Sequence, residues 1–595
     1  MSMHTQCLIL PSLYRDSVVL MQLSRSLESQ PHVHQAAVMM GTPQNRDLLR
    51  EAGLLTPDAE ASGANDLLIC VQADSPETAD AALQHARELC LQHQVQRDEA
   101  GETAPRTLAT ALRRMPDANL ACISVPGQYA YREARRALEQ GLHVFLFSDH
   151  VDLDAEIELK QLASQHGLLV MGPDCGTAMV RGMPLGFANQ WPNGPVGLIA
   201  ASGTGLQQVS CLLAHQGVGI SHAIGVGGRD LHRELGGHSM RAALQTLARD
   251  DDTRVIVLIS KPPDPEVAGL LAHEAAESGK PCVLALIGDD RPRPGLPGLY
   301  RVTTLEAAAL AANALARGDT PSVHAEPLPP HLVAAAETAR QALQPDQHLV
   351  HGLYCGGTLA AESLWLLRRA LESVDSNLDD SFSAANTARH VVLDLGAEAF
   401  TSGRPHPMID PAVRRQHLLH LAEHAGLAVV LCDVMLGWGA HEAPGVALAA
   451  AWQEMQARLR QLERQVIGIA TVCGAPDDPQ DYAHQCRVLE EHGLLLADSN
   501  AQAVRLAAHI AGASIDLTAM SGQAELPPAS SAVTPMPQMP SQLPILFREG
   551  PRVINLGLES FAAQLRACGA PVLHVDWQPP ASGNAHLTNL LERLK

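Results

Sequence analysis

Residues 196–230 read VGLIAASGTGLQQVSCLLAHQGVGISHAIGVGGRD. The apolar run VGLIA predicts a buried strand that ends at SGTG (residues 202–205), where a helix begins. The second strand of this stretch ends at GGRD (residues 227–230). Glycine lets backbone N–H groups approach a ligand closely, and a helix N-terminus carries partial positive charge. The stretch therefore predicts paired phosphate-binding turns at neighbouring strand ends, which favours phosphate or acyl-phosphate chemistry.

Short apolar strands alternate with amphipathic helices along most of the 595 residues. Their near-continuous hydrophobicity is typical of parallel sheets that helices cover on both faces. We therefore expect an α/β protein with several doubly wound, Rossmann- or flavodoxin-like parallel sheets. Composition breaks divide the chain into a first β/α set (1–190), a second set (193–320), a connector (324–347), a third set (348–520), a proline-rich linker (523–544) and a βαβα tail (548–595).

The composition excludes several classes of partner. The formal net charge of −22 argues against nucleic acid and against an anionic membrane surface. No apolar run reaches the roughly 18 residues of a membrane span, and no leader pattern precedes the first strand. The 12 cysteines form no CxxC pair, and the 28 histidines form no ligand pair. We expect a cytoplasmic protein without a bound metal and with reduced, buried thiols.

Three further motifs carry chemistry-bearing side chains. Lys261 ends the strand VIVLIS. The sequence is equally compatible with a lysine side chain that faces the crevice and with one that lies in a solvated loop. The loop FTSGRPHPMIDP (residues 400–411) holds Arg404, which can clamp a carboxylate or phosphate, and His406, which suits proton transfer. A structural loop could be equally rich in proline. Gly356, Gly357 and Thr358 open a helix after a strand and repeat the layout of residues 202–205.

Several runs together resemble the succinyl-CoA synthetase superfamily. MGPDCG, VGLIAASGTGLQQ, IGVGGRD and VIVLISKPP are similar to its α-subunit, and GLYCGGTLAAE, LCDVMLGWGAH and IGIATVCGAP are similar to the ligase domain of its β-subunit. MMGTP, PDANLACISVPG, FTSGRPHPMIDP and the tail resemble FdrA-type proteins over essentially the whole chain. The resemblance implies a CoA-binding-like domain at 1–190 and two ligase-type flavodoxin-like domains at 193–320 and 348–520, without an ATP-grasp domain.

The chain departs from the synthetases at the phosphocarrier. The loop that holds their phosphorylated histidine reads DDRPRPGLPGLYRV here, and Lys261 stands where the acidic partner of that histidine lies. The resemblance to FdrA-type proteins, which include a subunit of oxamate carbamoyltransferase, then implies transfer from an acyl phosphate. On this hypothesis oxalurate and phosphate give oxamate and carbamoyl phosphate in allantoin catabolism, with other carbamoyltransferase subunits as partners.

Two alternatives stay open: a CoA-dependent acyl-CoA synthetase or ligase, and a non-catalytic scaffold subunit. CoA is expected only under the first alternative, Mg²⁺ is allowed for, and no covalent cofactor is expected. Under the carbamoyltransferase hypothesis the catalytic residues are Lys261, Arg404 and His406. The residues expected to bind phosphate or substrate are Ser202, Gly203, Thr204, Gly205, Gly227, Gly228, Arg229, Asp230, Gly356, Gly357 and Thr358.

Overall fold

The computed structural model describes residues 3–11, 13, 17–91, 104–289, 295–322, 326–379, 382, 389–401, 405–515 and 542–580. The predicted fold class is confirmed, because three of the four sheets are built mainly from parallel strands with helices between them. No helix among these residues is long and apolar enough to cross a membrane.

The N-terminal unit is a three-stranded antiparallel sheet in the order β1-β3-β2. Its elements are β1 (His4–Leu10), α1 (Ser17–Glu28), β2 (Val33–Met40), α2 (Pro43–Glu51), α3 (Pro57–Glu60), β3 (Leu67–Ala73) and α4 (Pro76–Leu91). The structure differs here from the single parallel domain expected over residues 1–190. Alternate residues of β3 enter two separate cores: Ile69 packs with one set and Leu68 with the other. An antiparallel strand buried on both faces also reads as continuously apolar, which is why the pattern pointed to parallel pairing.

Residues 104–171 begin the next sheet, which we call the shared sheet. Its elements here are α5 (Leu108–Arg114), β4 (Leu120–Ile123), α6 (Gly127–Glu139), β5 (His143–Leu146), α7 (Leu153–His166) and β6 (Val170–Met171). The three strands are short, parallel and fully buried. Three strands of two to four residues give a small sheet, and the chain enlarges it from a distant segment, as described below.

The middle sheet has seven strands in the order β13-β12-β11-β9-β10-β7-β8. Five are parallel, and the hairpin β7–β8 adds to β10 in the antiparallel sense. The elements are β7 (Thr177–Val180), β8 (Met183–Gly186), β9 (Asn193–Ala200), α8 (Gly203–His215), β10 (Ile220–Gly225), α9 (His238–Ala248), β11 (Val255–Ser260), α10 (Pro265–Ala276), β12 (Cys282–Leu286), β13 (Leu299–Val302) and α11 (Leu305–Arg317).

The third sheet has six parallel strands in the order β15-β16-β14-β17-β18-β19. The connecting helix α12 (Pro330–Arg340) precedes it. The elements of its unit are β14 (Leu349–Tyr354), α13 (Gly357–Arg368), β15 (Val374–Ser376), β16 (His390–Asp394), α14 (Glu398–Thr401), α15 (Ala412–Leu421), β17 (Leu427–Met435), α16 (Pro444–Gln461), β18 (Ile467–Cys473), α17 (Tyr482–Glu491), β19 (Leu495–Leu496) and α18 (Asn500–Ile510).

The C-terminal segment completes the shared sheet. It contributes α19 (Ile545–Glu549), β20 (Val553–Leu556), α20 (Glu559–Ala567) and β21 (Val572–Val575). Strand β20 pairs in parallel with β4, so the sheet order is β21-β20-β4-β5-β6. The βαβα tail predicted at 548–595, which is described to residue 580, inserts into a sheet that began more than 400 residues earlier. A segment this short cannot bury a core of its own, and the exposed edge of β4 supplies the missing partner.

One hydrophobic core runs continuously through the middle and third sheets. A buried carboxyl group joins the two: Glu362 on α13 accepts hydrogen bonds from the Leu305 N–H at 2.7 Å and from Asn500 Nδ2 at 2.8 Å. Burial raises the pKa of Glu362 to about 7, although these two bonds lower it. The group is thus protonated in the folded protein at pH values where the unfolded chain would ionise it.

The anchoring of the C-terminal segment can be tested in helix α19. Phe547 is fully buried, whereas Ile545 on the same helix is 49% exposed. We expect F547A to lower the free energy of unfolding of the cooperative unit that contains the shared sheet by about 3–5 kcal/mol, and I545A by less than about 0.5 kcal/mol. Urea denaturation followed by tryptophan fluorescence measures both. Equal midpoints for the two variants would contradict the packing described here.

The Glu362 junction predicts a pH dependence of stability. Because its folded pKa lies above the unfolded value of 4.5, its contribution is fully present below about pH 4.5 and is lost as pH rises through about 7. The loss amounts to about 3 kcal/mol for a shift of this size. We expect E362Q to flatten the dependence of the urea midpoint on pH between 5 and 8. A slope unchanged from that of the wild type would contradict protonation of this group.

Candidate functional site

Two of the three predicted glycine turns meet at the carboxyl ends of the middle and third sheets. The first cradle (residues 202–205) follows β9, and the second cradle (residues 356–358) follows β14. Ser202 Oγ lies 2.5 Å from Thr358 Oγ1, and the Thr358 N–H donates to Thr204 Oγ1 at 3.3 Å. Residues more than 150 positions apart in the chain are thus in direct contact, as expected for a single crevice between two related units.

Each cradle is the N-terminus of a helix. Helix α8 begins at Gly203 with Ser202 as its N-cap, whose side chain accepts a hydrogen bond from the Gly205 N–H at 2.9 Å. Helix α13 begins at Gly357, and its N-cap Gly356 has no capping side chain. Within the described part of the chain, the N–H groups of Gly203, Thr204 and Gly357 donate to no other group. Two positive helix ends with open donors favour an anion between them.

A carboxylate of the protein itself occupies the inner part of the second cradle. Asp433, fully buried at the end of β17, accepts hydrogen bonds from the N–H groups of Cys355 and Gly356 at 2.8 and 2.7 Å. Arg414 pairs with the same carboxylate at 3.0 Å and also contacts the Cys355 sulfur. The arginine that serves this cradle is therefore Arg414 on α15, which no motif in the sequence singles out.

Lys261 lies beside the cradles among carboxylates. A Cβ atom added to Gly357 would stand 3.5 Å from Lys261 Nζ and 2.6 Å from Asp394 Oδ2. Burial raises the pKa of Asp394, and Lys261 partly offsets this. Burial and the nearby Asp149 raise the pKa of Asp174 to about 6, against the opposing charges of Arg229 and Lys261. Lys261 is thus a cation between two carboxyl groups that hold their protons more tightly than usual.

The GGRD turn lies at the same sheet edge but has other partners. Gly227, with a φ of 86°, packs its Cα so closely that a Cβ would stand 2.4 Å from the Pro173 oxygen. Arg229 pairs with Glu156 at 2.8 Å and donates to the carbonyl oxygen of Val151 at 2.7 Å. These bonds hold the shared sheet against the middle sheet.

Asp230 is also engaged in the fold. Its carboxylate is fully buried, pairs with Lys160 at 2.7 Å and accepts hydrogen bonds from the N–H groups of Ser239 and Met240 at the start of α9. A carboxylate that caps a helix and balances a buried lysine has no capacity left for a substrate. Asp230 and Arg229 are therefore engaged within the protein. Gly228 is the open position of this turn, because a Cβ added there would meet only Asp174 Oδ2, at 4.0 Å.

The loop at 400–411 is described only in part, and Arg404 lies outside the described residues. His406 lies behind the second cradle, where its Nε2 stands 2.5 Å from the position of a Cβ on Gly396. Its Nδ1 accepts a hydrogen bond from the Met408 N–H at 3.2 Å. Burial and Arg414 lower the pKa of His406 to about 4, so the ring is neutral at neutral pH. A proton shuttle through His406 stays a prediction.

The sequence analysis did not single out His150. This residue follows β5 of the shared sheet with a φ of 54°, and its ring lies 3.0 Å from Asp149 Oδ1 and 3.2 Å from Glu398 Oε1 of the third-sheet unit. Hydrogen bonds to these two carboxylates raise its pKa. The one signal in the sequence is position, because His150 is a polar residue that follows the carboxyl end of a parallel strand. The structure adds that this residue is in a left-handed conformation.

Comparison with known proteins adds two family matches. Residues 353–510 match the CoA-ligase family, and residues 3–106 match the family described as AllF, heavy metal-associated domain. YahF of Escherichia coli, an uncharacterized protein, is 37% identical over 503 residues, which cover 84% of this chain and 97% of YahF. The α-2 subunit of a mitochondrial ADP-forming succinate–CoA ligase from Trichomonas vaginalis is 28% identical over 27% of this chain. The match spans about half of that subunit, 51% of its length.

The solved structures that match include an ATP citrate lyase from Methanothrix soehngenii in complex with citrate and coenzyme A. It is 18% identical with a TM-score of 0.29, over 39% of this chain and 45% of that one. A dinucleotide-forming acetyl-coenzyme A synthetase 1 from Ca. Korarchaeum cryptofilum is 14% identical with a TM-score of 0.27, over 74% of this chain and 93% of that one.

The N-terminal unit does not fit the heavy metal that its family description implies. No group of three or more histidine, cysteine or acidic residues with metal-binding geometry occurs in the described ranges. The two cysteines of this sheet, Cys7 and Cys70, are paired across β1 and β3 as a disulfide. The expectation that all thiols are reduced therefore fails in this unit, and no metal chemistry is assigned to it.

The prediction that this chain is a carbamoyltransferase is wrong. The matched family over the third sheet is CoA-ligase, and relatives that match about a quarter of this chain include subunits of CoA ligases. A subunit of an ADP-forming sulfoacetate–CoA ligase from Bilophila wadsworthia, for example, is 26% identical over 27% of this chain. The broader expectation of a succinyl-CoA synthetase-like protein is supported by the same findings.

The packing around the first residues of α8 and α13 can be tested with a matched pair of glycine variants. Gly203 and Gly357 are the first residues of α8 and α13, and neither has a positive φ. A Cβ on Gly203 would meet its nearest neighbour, Thr177 Oγ1, at an ordinary 3.4 Å, whereas one on Gly357 would stand 2.6 Å from Asp394 Oδ2. We expect G203A to change the free energy of unfolding by less than about 0.5 kcal/mol and G357A to lower it by about 1–3 kcal/mol. Similar urea midpoints for the two variants would contradict the crowding of Asp394 against α13.

Proposed function

Because this chain belongs to the same succinyl-CoA synthetase-like family as YahF, we propose that it performs a CoA-ligase-type acyl transfer. An acyl phosphate binds with its phosphoryl group between the first and second cradles. The thiolate of CoA attacks the carbonyl carbon, the bond from that carbon to the phosphate oxygen breaks, and inorganic phosphate leaves with the electron pair. The products are an acyl thioester and phosphate. No nucleotide takes part in this step.

The observation that carries the proposal is the 2.5 Å contact between Ser202 and Thr358. It brings two helix N-termini together, so that their open N–H groups point into one small volume. Phosphate released by the reaction carries more negative charge at its oxygens than the bound acyl phosphate. Preorganised donors of this kind stabilise charge that develops during a reaction, which suits the departure of phosphate.

The neighbouring side chains suit the remaining requirements of this chemistry. Lys261 would offset negative charge on the carbonyl oxygen during attack. Asp174, whose pKa is about 6, or Asp394 would accept the proton of the CoA thiol. Arg404 and His406 remain proposed contributors. We also propose that the chain is of the FdrA type, on the long motifs quoted above, and that Mg²⁺ accompanies the phosphate.

The test is thioester formation from acetyl phosphate and CoA by the full-length chain, alone and with its co-expressed partners, followed at 232 nm. We expect S202A and T358A each to lower the rate about 10- to 100-fold, because each removes a hydroxyl at the phosphate position. The matched control is S210A. Ser210 lies on the same helix α8, is fully buried and bonds only to the backbone of its own helix.

The control should retain the rate of the wild type. Equal losses in S202A and S210A would show that the effect is one of folding and would count against the proposed site. Calorimetry with inorganic phosphate gives a second readout, in which S202A should bind more weakly than S210A.

A scaffold function is the second candidate, and one observation favours it. Asp433 already accepts hydrogen bonds from the N–H groups of Cys355 and Gly356, where the second cradle begins, which leaves fewer donors for a ligand at this cradle. A scaffold predicts that phosphate and acetyl phosphate do not bind the chain and that G203V leaves the activity of the assembled complex unchanged. Binding of phosphate that depends on Ser202 would exclude it.

A further inference from the structure

A second concave site lies at the opposite edge of the middle sheet, where strands β9 and β10 begin. Its cavity measures about 390 Å³, within the size range of small-molecule sites. Strand β10 has six residues, so this site lies roughly 20 Å from the cradles at the other end of the sheet. The cavity is lined by Arg181, Asn193, Gly194, Pro195, Ser221, His222 and Asp252.

The floor of this cavity is polar and buried. Ser221 and His222 are 7% and 1% exposed. Ser221 Oγ lies 2.6 Å from Thr253 Oγ1, which donates to Asp250 Oδ2 at 2.5 Å. Nε2 of His222 faces Asp250 Oδ2 at 3.4 Å, and its Nδ1 accepts a hydrogen bond from the Arg181 N–H at 3.4 Å. These contacts fix the ring of His222 and the backbone of Arg181 at the floor of the cavity.

The mouth of the cavity carries one charge of each sign. Arg181 Nη1 and Asp252 Oδ2 form an ion pair at 2.9 Å, with their side chains 38% and 63% exposed. Arg181 occupies the turn of the hairpin β7–β8 with a φ of 49°, followed by Gly182 with a φ of 78°. The two-residue turn between Val180 and Met183 requires a positive φ at both central positions, so the turn itself holds Arg181 at the rim of the cavity.

The C-terminal segment fixes one wall. The carbonyl oxygen of Phe547 accepts a hydrogen bond from Arg181 Nη1 at 3.4 Å, and its ring centroid lies 5.3 Å from that of His222. Phe547 is fully buried, so the arginine is held between the inserted helix α19 and the loop that contains Asp252. The site is therefore built from three separate parts of the chain, and its two opposite charges are held close together.

These groups select against most simple ions. Asp250, Asp251 and Asp252 follow one another at this edge and oppose a ligand that is only anionic. Arg181 opposes one that is only cationic. A molecule with a carboxylate next to an ammonium group would satisfy both charges at once. Two ion pairs with the ligand would then replace the exposed pair of Arg181 and Asp252, and the net charge of the site would stay the same. The hydroxyl of Ser221 and the amide of Asn193 add hydrogen-bonding groups.

We propose that this cavity binds a small zwitterion of the free α-amino acid class, with the carboxylate on Arg181 and the ammonium group on Asp252. The cavity is distinct from the cradles and does not depend on the function proposed for them. Occupation would tie the β7–β8 hairpin to the loop before β11 and to helix α19. We therefore expect a bound amino acid to raise the thermal midpoint of the full-length chain.

The test is a thermal-shift series on the full-length chain with each of the twenty standard amino acids at about 5 mM, followed by calorimetry of those that shift the midpoint. We expect at least one to bind with a dissociation constant below about 1 mM. R181M and D252N should each weaken it at least about tenfold, as expected when one charged partner of a ligand is removed. Acetate and methylamine, which carry only one charge each, should bind far more weakly than the amino acid.

The control is R233M, which removes a comparable exposed ion pair with Glu266 outside the cavity and should leave binding unchanged. If R181M does not fold, D252N still tests the proposal, because Asp252 is exposed on a loop and its substitution leaves the fold intact. The proposal fails if none of the twenty binds, if D252N binds as tightly as the wild type, or if acetate alone binds as well as the amino acid.

Discussion

Two helices point their positive N-termini at each other across the contact between Ser202 and Thr358, and the rest of the structure is arranged around that constraint. With about half an elementary charge at each end, at about 5 Å and an effective dielectric constant of about 20, the repulsion is on the order of 1 kcal/mol. The continuous core through both sheets and the buried Glu362 junction hold the helices in place against it. An anion between the helix ends would remove the repulsion, so binding and stability are coupled at this point.

The buried Asp433–Arg414 pair offsets part of this repulsion. The carboxylate of Asp433 accepts the inner N–H groups of the second cradle, and Arg414 balances its charge. The pair is neutral overall but oriented, with its negative end toward the start of α13. It therefore offsets much of the charge of that helix end, while the N–H groups of Gly203 and Thr204 on α8 stay open. The two cradles are alike in sequence and unequal in electrostatics, and an incoming phosphate would be held mainly by α8.

The sequence predicted what depends on local patterns. Glycine turns after apolar strands marked residues 202–205 and 356–358, and the carboxyl-end rule for parallel sheets predicted one crevice for them. The pattern did not reveal which strands pair. Residues 33–40 and 67–73 read as parallel strands because helices cover both faces of their antiparallel sheet. The partner of β4 came from residues 553–556, and no local property of either segment records a pairing across such a distance.

The candidate site shows the same limit at the level of side chains. Arg229 and Asp230 look like ligand-binding residues in sequence, yet their charges are used by Glu156 and Lys160. Arg414 and His150 lie in unremarkable sequence and reach the crevice because distant elements bring carboxylates to them. Charged residues near a glycine turn therefore have to be judged by their partners, because a buried ion pair consumes the charge that a ligand would need. By this criterion Lys261 is a cation of the crevice whose side chain stays exposed, close to Gly357 of the second cradle, and the nearby Asp394 partly balances its charge.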